Sequence, residues 1–322
     1  MIYRNTNNTR FSVVIPLYNK ERFVRHSVES VLSQVYREFE VIIVDDGSTD
    51  SGVDTIRAFL SDRVRLITQK NKGPGPARNR GVNEARFEWI AFLDSDDWWL
   101  PTHLSALNRL VKGFPNAALV ATRLRRFRAG RLEGSTVQDG TNDYLLNYFC
   151  GFHDDIVHSS SCAARTDALT GAGGFGAYWP GEDTVLWVRL ALDHDIAVTQ
   201  ETTVVYRMET GGLMDVAAHQ SLSERPRPVL DTIEAALLMP RYASKHADLR
   251  YYRDLLRVRY VQHALFRGEM KLARRDLALI RELQSFRLII FRILSRLPAS
   301  VMRGGLMGYR FIKWRVRRIL SR

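Results

Sequence analysis

Cysteine is scarce in this chain of 322 residues: only Cys150 and Cys162 occur. Two cysteines make no disulfide framework for a chain this long, and a core of this size needs none. No CxxC pair or Cys/His cluster has zinc spacing, which excludes a structural zinc module. Both cysteines read as buried small side chains in a reduced, intracellular environment. Long apolar runs are missing as well. No stretch of 18 apolar residues exists, so no spanning helix is expected. The longest candidate, Phe286 to Leu297, is interrupted by Arg287, Arg292 and Arg296. The opening MIYRNTNNTR is too polar for a signal peptide, and no internal repeat emerges.

Acidic residues are scarce at one end only. From Pro240 to Arg322 there are 21 Lys and Arg against five acids, whereas the other 239 residues hold 26 basic and 30 acidic side chains. The overall charge of +12 therefore belongs to the C-terminal region. Apolar residues at 45% and charged residues at 25% are ordinary for a globular protein and exclude wholesale disorder.

What is present first is an alternation of strand-like and helix-like segments. FSVVIPL (Phe11 to Leu17) is a short apolar run and FEVIIV (Phe39 to Val44) a near-continuous one, and Val24, Val28, Val31 and Leu32 recur at helical spacing between them. DDGSTDSG, Asp45 to Gly52, is a turn. A helix to about Leu60, a strand at Val64 to Thr68, a helix at Pro76 to Arg86 and a strand at Glu88 to Leu93 follow. Strands without a polar face need cover on both sides, so the fold is α/β, a mostly parallel sheet between helices. Such sheets bind ligands beyond the carboxyl ends of their strands. Pro16 to Lys20, Asp45 to Asp50 and Asp94 to Asp97 all fall there.

Further on, Pro101 to Phe114 reads as a helix, Ala118 to Phe127 as one or two strands, and Arg128 to Asp139 as a polar connection. A helix is expected from Thr141 to Phe149, another at Glu182 to His194, and a strand at Val198 to Tyr206. The divisions expected are 1–100, 101–225 and 226–322, the last a basic helical region.

DSDD, Asp94 to Asp97, is the sharpest local feature, set between the strand EWIAFL and the pair Trp98-Trp99. Crowded carboxylates repel one another unless a cation neutralises them, and a hard divalent ion suits two or three such oxygens. Asp94 and Asp96 would point the same way if strand geometry continued that far; an acidic turn with a helix cap is the plainer alternative. Asp46 closes a different strand and is suited to accept a hydrogen bond from a base or ribose, although DGS is also an ordinary turn. KGPGPARN, Lys72 to Asn79, feeds a helix whose free amides and Arg78 favour a diphosphate. It is neither GxxxxGK[ST] nor GxGxxG.

The segments VVIPLYNKERFVRHSVESVLSQ, FEVIIVDDGSTD, NKGPGPARNRGVNEA and FEWIAFLDSDDWW, in that order, resemble the family 2 glycosyltransferases of the GT-A fold. The likeness covers Phe11 to about Pro101 and resumes weakly at Gly181-Glu182-Asp183 and Val205-Tyr206-Arg207. It implies an inverting enzyme that uses a nucleotide-sugar donor, with Mn²⁺ or Mg²⁺ bridging the phosphates. It implies that Pro16, Tyr18 and Glu21 border base and ribose, that Asp46 accepts from the base, and that Asp94 lies against the sugar-nucleotide. Asp96 would ligate the metal and Asp183 would be the general base, with an N-cap role as its alternative. Trp98, Trp99 and Trp179 are candidates to stack on sugar faces, or core residues. Glu182 and Arg207 are further candidate contacts. One departure is Glu209, where similar enzymes often carry His. The histidines at 153, 158 and 194 are not read as metal ligands.

The acceptor expected is a saccharide or lipid-linked saccharide, with UDP-sugar the preferred donor. SFRLIIFRILSRL (Ser285 to Leu297) and YRFIKWRVRRIL (Tyr309 to Leu320) read as two amphipathic basic helices, and no acid occurs between Leu283 and Arg322. These suit an anionic membrane surface on the cytoplasmic side, packing in a helical bundle or oligomer being the alternative. Nucleic-acid binding lacks a recognised module. A catalytically inactive nucleotide-sugar binder remains the competing reading of the acidic site.

Overall fold

In a computed structural model the described residues are 9–133, 142–153, 156–177, 181–208, 210, 227–283 and 286–296. They divide into two compact units: Met1–Tyr148 with Phe152–Ala218, and Phe149–Gly151 with His219–Arg322. Trp179, Glu209 and the predicted helix at Tyr309 to Leu320 lie outside the described residues.

The first unit is built on strands β1 (Phe11–Leu17), β2 (Phe39–Asp45), β3 (Val64–Thr68), β4 (Trp89–Phe92), β5 (Trp98–Trp99), β6 (Ala117–Arg128), β7 (Arg131–Glu133), β8 (Asp143–Leu145), β9 (Cys162–Arg165) and β10 (Asp195–Arg207). Eight of them run in the order β3-β2-β1-β4-β9-β6-β10-β5, with β7 beside β6 and β8 beside β10. β3, β2, β1 and β4 pair in parallel, as do β6 and β10, while β9 is antiparallel to both its neighbours. Strands from the first hundred residues and from the second hundred thus share one sheet. Every residue of β2 is buried, Glu40 and Asp45 included, as its near-continuous apolar run requires.

Helices α1 (Val24–Leu32), α2 (Gly52–Ile56), α3 (Pro74–Glu84), α4 (His103–Gly113), α5 (Thr166–Gly171) and α6 (Glu182–Asp193) belong to this unit. Val24, Val28 and Val31 of α1 are fully buried in the core with Val13, Ile15 and Leu17 of β1. The register Leu17↔Asp45↔Thr68 aligns the ends of β1, β2 and β3. Beside them Leu93 donates its amide to the Val14 carbonyl at 3.1 Å. The polar stretches that follow these strands therefore share one edge of the sheet.

Two expectations are corrected. No helix forms between 142 and 149: Asp143–Leu145 pairs with β10, and Tyr148–Cys150 is a single 3-10 turn. A short apolar run does not distinguish helix from strand by its own pattern. Here an edge decides, with Asp143 held by Arg109 at 2.8 Å and the Tyr144 hydroxyl accepting from Gln200 at 2.6 Å. Cys162 is buried as expected, but Cys150, at the end of that turn, is exposed.

The second unit is helical: α7 (Pro228–Leu237), α8 (His246–Arg267), α9 (Met270–Ala278) and α10 (Phe286–Leu294). Val261, Ala264, Leu265, Met270, Ala273, Leu277, Ile280 and Leu288 form its core. No helix among the described residues is long and apolar enough to cross a membrane.

Candidate functional site

The DSDD segment does not continue the strand. β4 ends at Phe92, and the Asp97 amide returns to the Asp94 carbonyl at 3.0 Å, so Asp94 to Asp97 form a tight turn. Its three carboxylates consequently take separate directions. Asp94 pairs with Arg78 at 2.6 Å, and Asp96 pairs with Lys20 at 2.8 Å while accepting from the Thr210 hydroxyl at 2.8 Å. Asp97 turns inward, 1% exposed, and accepts from the Ser160 hydroxyl at 2.6 Å and the Arg207 amide at 2.9 Å.

The loop before β9 braces this turn. The Ser160 hydroxyl also accepts the Asp94 amide at 3.1 Å, and the Ser160 carbonyl accepts the Trp99 indole N–H at 2.7 Å. From the other side, the Ser27 hydroxyl of α1 lies 2.9 Å from the Ser95 carbonyl. Trp99 is 2% exposed and stacks on His103, which makes it a core residue rather than a surface for a sugar. Trp98 is half-buried, and the Arg207 guanidinium lies 4.7 Å from its ring centre and 4.9 Å from that of Phe23. The same guanidinium donates to the Asp96 carbonyl at 3.0 Å.

Arg78 is buried between two carboxylates, 2.6 Å from Asp94 and 2.9 Å from Glu182. Helix α3 reaches this depth because its second residue is glycine: a Cβ on Gly75 would stand 2.1 Å from the Gly176 carbonyl oxygen. Asn79 of the same helix exchanges hydrogen bonds with the backbone of Phe175. Glu182 and Asp183 open α6 directly after Gly181, whose φ of +100° is left-handed backbone that disfavours a side chain. Asp183 accepts from the Thr184 amide at 2.6 Å through one oxygen and from the Ser159 hydroxyl at 3.2 Å through the other.

The rim expected around base and ribose is made by two interlocked loops. Glu21 accepts from the Ser51 amide at 3.1 Å, and Asp50 accepts from the Glu21 amide at 2.9 Å. Asn19 accepts from the Thr49 amide at 2.8 Å. Tyr18 stands out of this clasp, 45% exposed, and Pro16 is half-buried in β1. Asp46 is buried and already accepts from Gln69 and from the amides of Lys72 and Gly73, at 2.7, 2.9 and 2.8 Å. It thus takes two amides ahead of α3 that the sequence offered to a phosphate.

Charge at this edge is unbalanced. Burial alone pushes the Asp94 carboxyl up, but Arg78, with His158 and Lys20, holds it below the ordinary carboxylate range. Burial, reinforced by the charges of Asp96 and Asp94, pushes the Asp97 carboxyl well above that range. Burial and the neighbouring Asp183 raise Glu182 to about 7, against the pull of Arg78. Asp94, Asp97 and His158 bring one ligating atom each within 4.8 Å of one another. Two hard oxygens and an imidazole fit a small divalent cation such as Mn²⁺ or Mg²⁺. His158 accepts the Ser160 amide on Nδ1 at 3.1 Å, so the neutral ring carries its proton on Nε2 and gives it up if that nitrogen is to meet a cation. The sequence reading set His158 aside as a metal ligand, gave Asp97 no role of its own within DSDD, named Lys20 only as the end of a polar stretch, and did not single out Ser159 to Ser161. Only the run HSSSC before a strand hinted at that loop.

Residues 12–170 match the family described as Glycosyl transferase family 2. An uncharacterized glycosyltransferase of Rickettsia felis is 45% identical over 92 residues, 28% of this chain and 15% of that protein. The putative glycosyltransferase EpsH of Bacillus subtilis is 39% identical over 100 residues, 30% of this chain and 29% of its own length. The chain therefore spans well under half of these relatives. Among solved structures, Staphylococcus aureus TarS 1–349 in complex with UDP-GlcNAc superimposes with a TM-score of 0.64 at 19% identity, covering 94% of this chain and 92% of that one. The mannosyltransferase PcManGT of Pyrobaculum calidifontis, in complex with GDP-Man and Mn²⁺, gives 0.55 at 16% identity, covering 89% and 79%. The parallel β3-β2-β1-β4 half-sheet and the carboxylate turn at its edge lie, Phe11 apart, within residues 12–170, which match glycosyl transferase family 2, and the fold is that of the GT-A enzymes.

Proposed function

We propose that the protein transfers a sugar from a nucleoside-diphosphate sugar, UDP-sugar in the first instance, to a hydroxyl of a saccharide or lipid-linked saccharide, with a divalent cation and with inversion. The observation that carries this reading is the excess of carboxylates at the sheet edge: Asp94, Asp97 and His158 are gathered within 4.8 Å, and Asp183 is held by a hydroxyl of the same loop at 3.2 Å. Asp94, Asp97 and His158 would hold Mn²⁺ or Mg²⁺. The cation supplies Lewis-acid stabilisation of the charge that develops on the departing diphosphate.

The chain's own residues do the rest. Asp183, at the first turn of α6, takes the proton of the attacking hydroxyl, and Ser159 and the Thr184 amide keep its oxygens aimed. Attack from the face opposite the leaving group inverts the anomeric carbon with no covalent enzyme intermediate. The clasped loops bearing Tyr18 and Glu21 receive the base and ribose, and Arg78 keeps Asp94 ionised against burial. The test is a panel of nucleotide sugars assayed for Mn²⁺-dependent binding and transfer, with the product anomer read by NMR. Donor binding indifferent to Mn²⁺ and EDTA, or retention at the anomeric carbon, overturns the reading.

The basic C-terminal region is assigned to an anionic membrane surface on the cytoplasmic side. Support comes from α10, where Ile289 and Ile293 are 53% and 59% exposed next to exposed Arg292 and Arg296. Apolar side chains flanked by arginines suit an interface. Vesicle co-sedimentation should rise with anionic lipid, fall with salt and be lost on removing residues 285–322. Equal, weak binding of full-length and truncated protein assigns the basic face to another partner or to an oligomer.

A further inference from the structure

We infer that Lys20 is a tethered counter-ion: its ammonium occupies Asp96 while the donor is absent and moves to the donor diphosphate when the divalent cation and nucleotide bind. This deepens the donor-site reading above and rests on it.

Lys20 lies just beyond the carboxyl end of β1, on the same edge as the DSDD turn. Its Nζ is 2.8 Å from Asp96 Oδ2, 3.3 Å from the Thr210 hydroxyl and 3.4 Å from the Thr210 carbonyl. Neither partner is a surface group free to wander: the Lys20 and Asp96 side chains are 15% and 17% exposed. Thr210 donates to the same Asp96 oxygen that Lys20 contacts. One carboxylate oxygen therefore carries both a cation and a hydroxyl donor, which is a filled site. Asp96 faces away from the group of Asp94, Asp97 and His158, although it belongs to the same four-residue turn.

The charges are nonetheless felt together. Asp96 contributes to the upward push on Asp97, and Lys20 to the downward pull on Asp94. A divalent ion arriving among Asp94, Asp97 and His158 meets an ammonium already at the neighbouring carboxylate. Like charges repel, and a four-carbon side chain with three rotatable donors can exchange one anionic partner for another where a backbone-fixed group cannot. The nucleotide brings two phosphates to the same edge. Transferring the ammonium to them releases Asp96 as an additional oxygen ligand and leaves no cation unpaired. Exchange of one lysine between a carboxylate and a diphosphate thus couples metal binding to donor binding, in the sense that each favours the other.

The consequence is a pair of effects with opposite signs. In Lys20→Met, Mn²⁺ alone should bind about tenfold more tightly than in wild type, because its competitor at Asp96 is gone. UDP in saturating Mn²⁺ should bind several-fold more weakly, because the ammonium no longer reaches the phosphates. Lys20→Arg keeps the charge and should leave Mn²⁺ affinity close to wild type. Free-Mn²⁺ electron paramagnetic resonance measures the first quantity and titration calorimetry with UDP the second; neither depends on turnover. Thermal melting establishes that each variant is folded. In an Asp96→Asn background, Lys20→Met should no longer change Mn²⁺ affinity, which assigns the coupling to this pair. If folded Lys20→Met binds Mn²⁺ no more tightly than wild type while UDP still binds both proteins with Mn²⁺, the lysine proposal is overturned and the donor-site reading stands. If wild type and both variants bind neither Mn²⁺ nor UDP, both are overturned.

Discussion

Both units bury carboxylates beside arginines, and they do so to different ends. In the helical unit, Asp254 is fully buried on α8 and is met by Arg253 at 3.1 Å, by Arg257 at 3.7 Å, and by the amides of Arg281 and Glu282 at 2.7 Å each. Cations and backbone donors there match the acid, and the pair ties α8 to the chain beyond α9. At the sheet edge, Asp94 and Glu182 share Arg78 and Asp96 takes Lys20, while Asp97 and Asp183 are held by hydroxyl and amide donors alone. Burial first, and then the neighbouring carboxylates, raises the proton affinity of Asp97 and Glu182. A balanced buried set holds a fold together, whereas an unbalanced one is poised for a cation from outside.

The hardest test of that contrast is chemical. Asp183→Asn should lower kcat by about 10²–10⁴-fold while donor affinity stays within a few-fold, as expected for a general base. Single-turnover transfer beside a donor titration reads both; an unchanged kcat removes Asp183 from the chemistry.

A matched pair of substitutions comes next. Asp254→Asn should cost about 3–5 kcal/mol of stability, because it leaves buried partners without their charge. Asp97→Asn, at a site equally buried, should cost only about 1 kcal/mol, since the fold already favours the neutral form there. It should nevertheless weaken Mn²⁺ binding at least tenfold. Denaturant unfolding with Mn²⁺ titration decides the pair, and similar stability losses at both sites would erase the distinction between the units.

The smallest effect is in the pH dependence of stability. Glu182 is raised from an ordinary 4.5 to about 7, chiefly by burial and then by Asp183. The folded state therefore holds a proton that the unfolded chain has released between these values. That contribution is complete below about 4.5 and is lost as pH rises through about 7, with a slope of up to about 1.4 kcal/mol per pH unit. Glu182→Gln cannot release this proton, so its melting temperature should gain on wild type from pH 5 to pH 8. Parallel melting curves would show that Arg78 fully neutralises Glu182.

Legibility in the sequence followed the range of the interactions. Phe11–Leu17 and Val64–Thr68 were bounded as expected, because apolar runs flanked by polar breaks report burial locally. Asp143–Leu145 was misread as helix because its conformation comes from β10, more than fifty residues away in the chain. The DSDD turn was visible as a concentration of charge, but not the division of its carboxylates among Arg78, Lys20 and Ser160. Trp99 illustrates the same limit: an aromatic beside an acidic motif suits a sugar or a core equally, and the Ser160 carbonyl selects the core.

By itself the sequence determined the α/β alternation, the burial of β1 and β2, the convergence of acidic turns on one sheet edge, and the separation of charge between the two ends. Each follows from periodicity or composition, which neighbouring residues carry. Tertiary structure alone decided which acid meets which cation. Arg78 reaches Glu182 across 104 positions and Lys20 reaches Thr210 across 190. Such pairings depend on β1, β4, β9, β6 and β10 lying side by side in one sheet, and a charge written in the sequence has a partner only once the sheet has brought one within a few ångströms.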